Sequence, residues 1–172
     1  MGFLSAARAA TAILCGVLLL AEMPVNCLSI SGDGVLYISV LPNGASFTTT
    51  YEHSVERTPV VDEYRIVGGN IWGWEERVRS HNAGLPFSAP PHGSFIMNSD
   101  WMIVRGGRRP TASIAYRVGD AEIGMNTWEL PPFDRVNAFG EYPSRRVFIE
   151  SSVRKFREAP TKGWTVEMPR RQ

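Results

Sequence analysis

Hydrophobic and polar positions follow two different rhythms along this chain. Residues 9–21 (AATAILCGVLLLA) form an unbroken, mostly apolar run behind one basic residue, Arg8, and the run stops at Glu22. From Val35 onward the pattern shortens to β-rich runs punctuated by Gly, Pro and Asn. Val35–Leu41 (VLYISVL) alternates, and Pro42-Asn43-Gly44 offers the positive φ angles of a tight turn, so Ala45–Ser54 is expected to return as its hairpin partner. Thr58-Pro59 ends that strand, because proline lacks an amide donor and holds the residue before it extended. Val60–Val67 and Ile71–Ser80 read as the next two strands, joined by a hairpin turn at Gly68-Gly69-Asn70. Further runs follow at Gly93–Val104, Thr111–Val118 and Arg146–Phe156, with a turn at Gly106-Gly107-Arg108-Arg109-Pro110; only Phe133–Phe139 suits a helical turn. Short strands with turn signals about every ten residues predict an all-β fold, a single small antiparallel β-sandwich or barrel-like domain.

The apolar N-terminal run is shorter than the ~20 residues a full membrane span needs, and its layout is that of an export signal. Residues 1–27 are therefore assigned to a signal peptide or N-terminal membrane anchor. Residues 28–172 form one β domain, with its motifs in 35–104 and a C-terminal part in 105–172. This layout predicts a monomer that is periplasmic, secreted or anchored to the inner membrane, touching membrane only through the N-terminal segment. Leu19-Leu20-Ala21 has a small residue only at its last position, which leaves a cleaved signal and an uncleaved anchor both open. Cys15 lies inside the run and Cys27 just after it, so no intrachain disulfide is expected in an exported product.

Charge narrows the partners. The chain carries 18 Lys+Arg against 17 Asp+Glu, and removal of residues 1–21 would take away Arg8 alone and leave the two level. A near-neutral domain is not built for nucleic acid. Basic residues crowd the C-terminal end (Arg145, Arg146, Arg154, Lys155, Arg157, Lys162, Arg170, Arg171) and read as basic edge strands with a solvated tail, or as a docking surface for a membrane or an acidic partner. Trp72 and Trp74 flank Gly73 on one strand face, as core or as a ligand platform; Trp101, Trp128 and Trp164 carry the same choice.

Candidate chemistry concentrates where two polar loops are expected to meet. In an antiparallel meander, the loop HSVERTP (53–59) and the loop SHNAGLP (80–86) fall at the same rim, on strands roughly 10 Å apart. Alternation would put Tyr51, His53 and Val55 on one face and Glu52, Ser54 and Glu56 on the other. His53 and Ser54 then diverge, which removes a Ser-His nucleophilic pair, and no G-x-S-x-G elbow is present. His53, His81 and His92, with Glu56 or Glu63, lack a diagnostic metal-ligand spacing, so no metal or cofactor is expected. What remains is a polar site for a small solute or partner at Tyr51, His53, Ser54, Glu56, Arg57, Thr58, Pro59, Glu63 and Ser80, with Gly84, Leu85 and Pro86 as a rigid wall. The structural alternative is that Ser54 and Glu56 satisfy turn amides while Glu56 and Arg57 pair with neighbours. The residues alone leave both open.

YEHSVERTPVVDEYRI followed by SHNAGLPF resembles the domain of unknown function 1850 family. That family is marked by a Tyr-x-His-Ser-Val-Glu-x-Thr-Pro-Val segment, a following acidic residue and a Ser-x-x-Ala-Gly-Leu-Pro segment. Tyr51, His53, Ser54, Val55, Glu56, Thr58, Pro59, Val60 and Glu63 fit the first, and Ser80, Ala83, Gly84, Leu85 and Pro86 the second, with Asp100-Trp101 at a weaker position. The likeness covers about Val35 to Val104 and fades beyond. It implies a small exported accessory or binding protein of a family whose members are often encoded beside tripartite ATP-independent periplasmic (TRAP) transporters that use a TAXI-type binding protein, whose subunits would be partners. It carries over no catalytic residue. The alternatives are a periplasmic enzyme with His53 and Glu56 as acid-base groups, and a structural envelope module.

Overall fold

A computed structural model describes residues 2–32, 35–80, 88–119, 126–131, 134–138, 146–160 and 163–166. Helix α1 (Gly2–Glu22) is rich in Ala and Leu, strong helix formers, and ends just ahead of Pro24, which cannot continue it. Its apolar side chains, among them Ile13, Leu14, Val17 and Leu19, are exposed. No helix among the described residues is long and apolar enough to cross a membrane. The helix end is tied to the domain by Glu22, which meets Lys155 at 2.7 Å and Arg157 at 2.6 Å.

The β domain is a two-sheet antiparallel sandwich. Strands β1 (Pro24–Gly32), β2 (Val35–Leu41), β8 (Ser113–Arg117), β11 (Arg146–Lys155) and β12 (Gly163–Val166) form one sheet in the order β12-β2-β1-β11-β8. The other contains β3 (Ser46–Glu52), β4 (Pro59–Val67), β5 (Asn70–Val78), β6 (Gly93–Met97), β7 (Met102–Gly106), β9 (Asn126–Leu130) and β10 (Asp134–Val136), in the order β10-β9-β3-β4-β5-β7-β6. Alternation explains the core. Leu28, Ile30, Tyr37, Val147 and Ile149 from the first sheet meet Phe47, Ile66, Ile71, Trp128 and Leu130 from the second. Each such side chain, fully buried, contributes roughly 1.5–3 kcal/mol.

Several expectations change. Pro42-Asn43-Gly44 does not make a hairpin: β2 and β3 lie in different sheets, and the tripeptide carries the chain across between them. Gly44 does take a positive φ of 86°, but its amide donates to Ile66 O at 2.7 Å, so the turn closes against β4. Asn43 Oδ1 accepts from Gly68 N at 3.0 Å and Asn26 Oδ1 from Gly69 N at 2.8 Å, tying the corner to the β4–β5 turn. Gly69 itself has φ 73°, and a Cβ there would sit 2.9 Å from Val153 Cγ2.

Residues 24–27, grouped above with the N-terminal segment, open β1, where Asn26 and Cys27 are buried. Gly93–Val104 is two strands, because Asn98 Oδ1 accepts from Asp100 N (3.0 Å) and Trp101 N (2.7 Å) and folds a turn between them. Residues 134–136 are strand β10, paired with β9, where a helical turn was expected. Strand β11 carries Arg146, Arg154 and Lys155, yet it lies between β1 and β8 and is no edge; the basic residues stand on its exposed face and ends.

Trp128 is fully buried, whereas Trp72 and Trp74 are exposed on the outer face. An extra residue in β5 opposite Glu63/Tyr64 breaks the register there, and the Arg65 guanidinium lies 3.8 Å above the Trp74 ring. Trp101 is half-buried, with the Arg79 guanidinium 5.0 Å from its ring, and the side chain of Trp164 lies outside the described residues.

Candidate functional site: the rim loop and the cleft beneath it

The meander β3-β4-β5 forms as the turn signals predict, and it brings Ser80, just past the end of β5, to the 53–59 loop. Ser80 Oγ donates to Glu56 Oε2 at 2.9 Å. Strand β3 stops at Glu52, however, so period-two alternation does not extend through His53–Glu56. The loop is a closed turn: His53 N donates to Thr58 O (2.9 Å) and Arg57 N to His53 O (2.8 Å), with Arg57 at φ 54°. His53 Nδ1 accepts from the amides of Val55 (3.3 Å) and Glu56 (3.2 Å), the local side-chain-to-backbone bonding typical of turns. Arg57 Nε meets Glu52 Oε1 at 2.7 Å. Ser54 is exposed, while Thr58 and Pro59 are half-buried where β4 begins. Glu63 points away from the rim, beside Arg65 Nε at 3.4 Å. Gly84, Leu85 and Pro86, with His81, lie outside the described residues. Among the described residues no group of His, Cys, Asp and Glu is placed to hold a metal ion.

A cleft opens between the sheets at the end of β3 that carries this loop. Its volume is ≈ 310 Å³, and it is lined by Tyr51 and Glu52 of β3, Asp62 and Tyr64 of β4, Ile114 to Arg117 of β8, Gly119 and Asn126. That volume is at the lower end of the roughly 300–1,000 Å³ of small-molecule pockets. Strand register sets the lining, because Tyr51 pairs with Val60 and Asn126, and Thr49 pairs with Asp62 and Trp128. Along β4, Val60, Asp62, Tyr64 and Ile66 share the inward face.

Asn126 ties the two walls, its Nδ2 donating to Tyr116 Oη at 3.0 Å and its Oδ1 accepting from Gly119 N. The Tyr116 ring meets Trp128 edge-on with centroids 5.9 Å apart, and Tyr64 stacks on Phe47 at 4.8 Å.

The electrostatics centre on Asp62. Only 8% of this residue is exposed, and it lies directly opposite Glu76 in the β4–β5 register. Arg108, delivered by the loop after β7, binds Glu76 closely through Nη2, while its Nη1 comes only to 3.6 Å of Asp62 Oδ1. Burial raises the Asp62 carboxyl above its usual range, against the pull of Arg108 and a hydrogen bond from Tyr64. Burial also pushes Tyr51 up to about 12, helped by the negative charge of Asp62. Tyr64 and Tyr116 move the same way, first through burial. All three hydroxyls therefore stay protonated at neutral pH, and Tyr64 donates to the buried acid.

The expected site had included Tyr51 from this group and Glu63 in place of Asp62. Glu52, Asp62, Tyr64, Arg108, Tyr116 and Asn126 were missed. The repeat Val60-x-Asp62-x-Tyr64-x-Ile66 was the signal for two of them.

Fold and site together define a two-layer antiparallel β-sandwich with a polar, tyrosine-lined cleft between its sheets. Residues 47–130 match the model of a family described as a domain of unknown function (DUF1850). The chain resembles that family over this stretch, which continues past Val104 and takes in every residue lining the cleft. No curated protein and no solved structure matches the chain.

Proposed function

We propose that this chain is an exported accessory protein of a solute transporter that captures a small polar solute in the inter-sheet cleft, with the 53–58 loop at its mouth. The observation that carries the reading is Asp62, a buried carboxyl lining a cavity of ligand size together with Tyr51, Tyr64 and Tyr116. Buried ionisable groups in a cleft mark functional sites more often than packing alone requires. The family resemblance supports the transporter link, and the exposed apolar face of α1 supports attachment at a membrane after export.

The enzyme alternative draws no support from the loop. His53 Nδ1 is held by two amides and Glu56 by Ser80.

The test is affinity capture of the full chain from its native envelope, solubilised in a maltoside detergent. Transporter subunits should co-purify with it, and their consistent absence under crosslinking would sink the accessory role.

A further inference from the structure

The cleft also bears on what kind of solute it takes, an inference that rests on the binding role just proposed. Two acids, Asp62 and Glu52, line the cavity against one base, Arg117. Behind them Glu76 holds Arg108, so that pair adds no charge to the balance. Asp62 is more than nine-tenths buried, and its Oδ1 is buried with no hydrogen-bond partner among the described residues. Tyr64 donates a hydrogen bond to this carboxyl and Arg108 stands 3.6 Å from Oδ1, so the charge is only partly compensated and a buried Oδ1 without its own donor is costly. Tyr51, Tyr64 and Tyr116 are among the residues that line the cavity with it. Aromatic faces attract a cation electrostatically, most strongly where water is excluded.

We infer that the cleft binds a small organic cation, an amine or quaternary ammonium group seated among Tyr51, Tyr64 and Tyr116 with its charge toward Asp62. Glu52 at the mouth adds to the negative field along the way in. Its partner Arg57 is more than half exposed, with 54% of its side chain accessible, so water screens that pair and leaves part of the field. The ammonium would supply the positive charge that Arg108, held by Glu76, brings only part-way.

The test compares choline with 3,3-dimethyl-1-butanol, its neutral isostere, and with acetate. Each is titrated into the isotopically labelled full chain in a maltoside detergent, and amide shifts are read at Tyr51, Asp62, Tyr116 and Asn126. Choline should shift the cleft amides and bind at least about tenfold more tightly than the isostere. Asp62→Asn should erase that preference, and Glu52→Gln, outside the buried centre, should weaken it if Asp62→Asn fails to fold. Equal binding of the isostere, or cleft shifts with acetate but not choline, overturns the cation assignment and leaves a binding cleft standing. Shifts with none of the three overturn both.

Discussion

Arg108→Met removes one guanidinium from between two buried acids and keeps a flexible chain over Gly73, where Arg108 Cδ sits 2.6 Å from the position a Cβ would take. Asp62 and Glu76 are direct cross-strand neighbours, each with only 11% of its side chain exposed. Breaking a fully buried ion pair by deleting one member costs ~3–5 kcal/mol, because the other charge is left uncompensated. Arg108 is 39% exposed, so water screens part of the loss, and about 2 kcal/mol remains. Urea unfolding followed by tryptophan fluorescence should show the midpoint falling by roughly 1 M with an unchanged slope.

The pH dependence has a definite sign. The groups facing Asp62 are Arg108, Glu76, Tyr51, Tyr64 and Tyr116. Losing Arg108 removes a lowering influence, so the folded pKa of Asp62, already raised, rises further. Between the ordinary carboxylate value and that raised value the folded state binds more protons than the unfolded chain. Stability therefore falls as pH climbs through this window. The deficit of the variant should be smaller near pH 5 than at pH 7, and Glu76→Gln in the same background should recover part of it. An unchanged midpoint at pH 7, or a deficit that grows on acidification, would show that Arg108 does not offset the charge of the two acids.

Other outcomes follow from the same geometry. Asn26→Ala should cost about 1 kcal/mol and speed hydrogen exchange at the Gly69 amide, since it leaves a part-buried donor unpaired at the corner. His53→Ala should cost only about 1 kcal/mol, because its two acceptor bonds serve a solvent-facing turn; a collapse of the domain would show the loop to be part of the core. Tyr51, whose folded pKa is raised to about 12, should remain un-ionised by ultraviolet absorbance near pH 11, where free tyrosine is largely ionised. Its folded form keeps the proton longer than the unfolded chain, so stability should decline as pH rises from about 10 toward 12.

The strands were legible where a run alternates between clear turn residues, as in β4, β5 and β11. The Asn43-Gly44 turn was also legible, but its partner was not. A turn signal is local, whereas the choice between returning to the same sheet and crossing to the other depends on what Ile66 and Gly68 offer in space. Strand β1 was hidden because PVNCLSISG abuts the apolar helix and was divided with it. Strand β10 was hidden because three residues carry too little pattern to set against a helical turn. Strand order predicted that Glu56 and Ser80 would lie close, and their contact is where that order requires; the rest of the second loop lies outside the described residues. The cleft was not found, because its walls come from β3, β4, β8 and β9, and the chain from Asp62 to Asn126 must fold before they meet. Within VVDEYR, Asp62 and Glu63 look alike as letters, and only the inward period shared with Val60 and Ile66 separates the buried acid from the half-buried one.

The proposed binding mode seats solute in the cleft at Asp62, with the rim loop only at its mouth. Native mass spectrometry of the full chain, purified from its own envelope, tests this directly when wild type, Asp62→Asn and His53→Ala are compared. A small molecule should be retained by wild type and by His53→Ala and lost from Asp62→Asn. Retention by Asp62→Asn with loss from His53→Ala would contradict it.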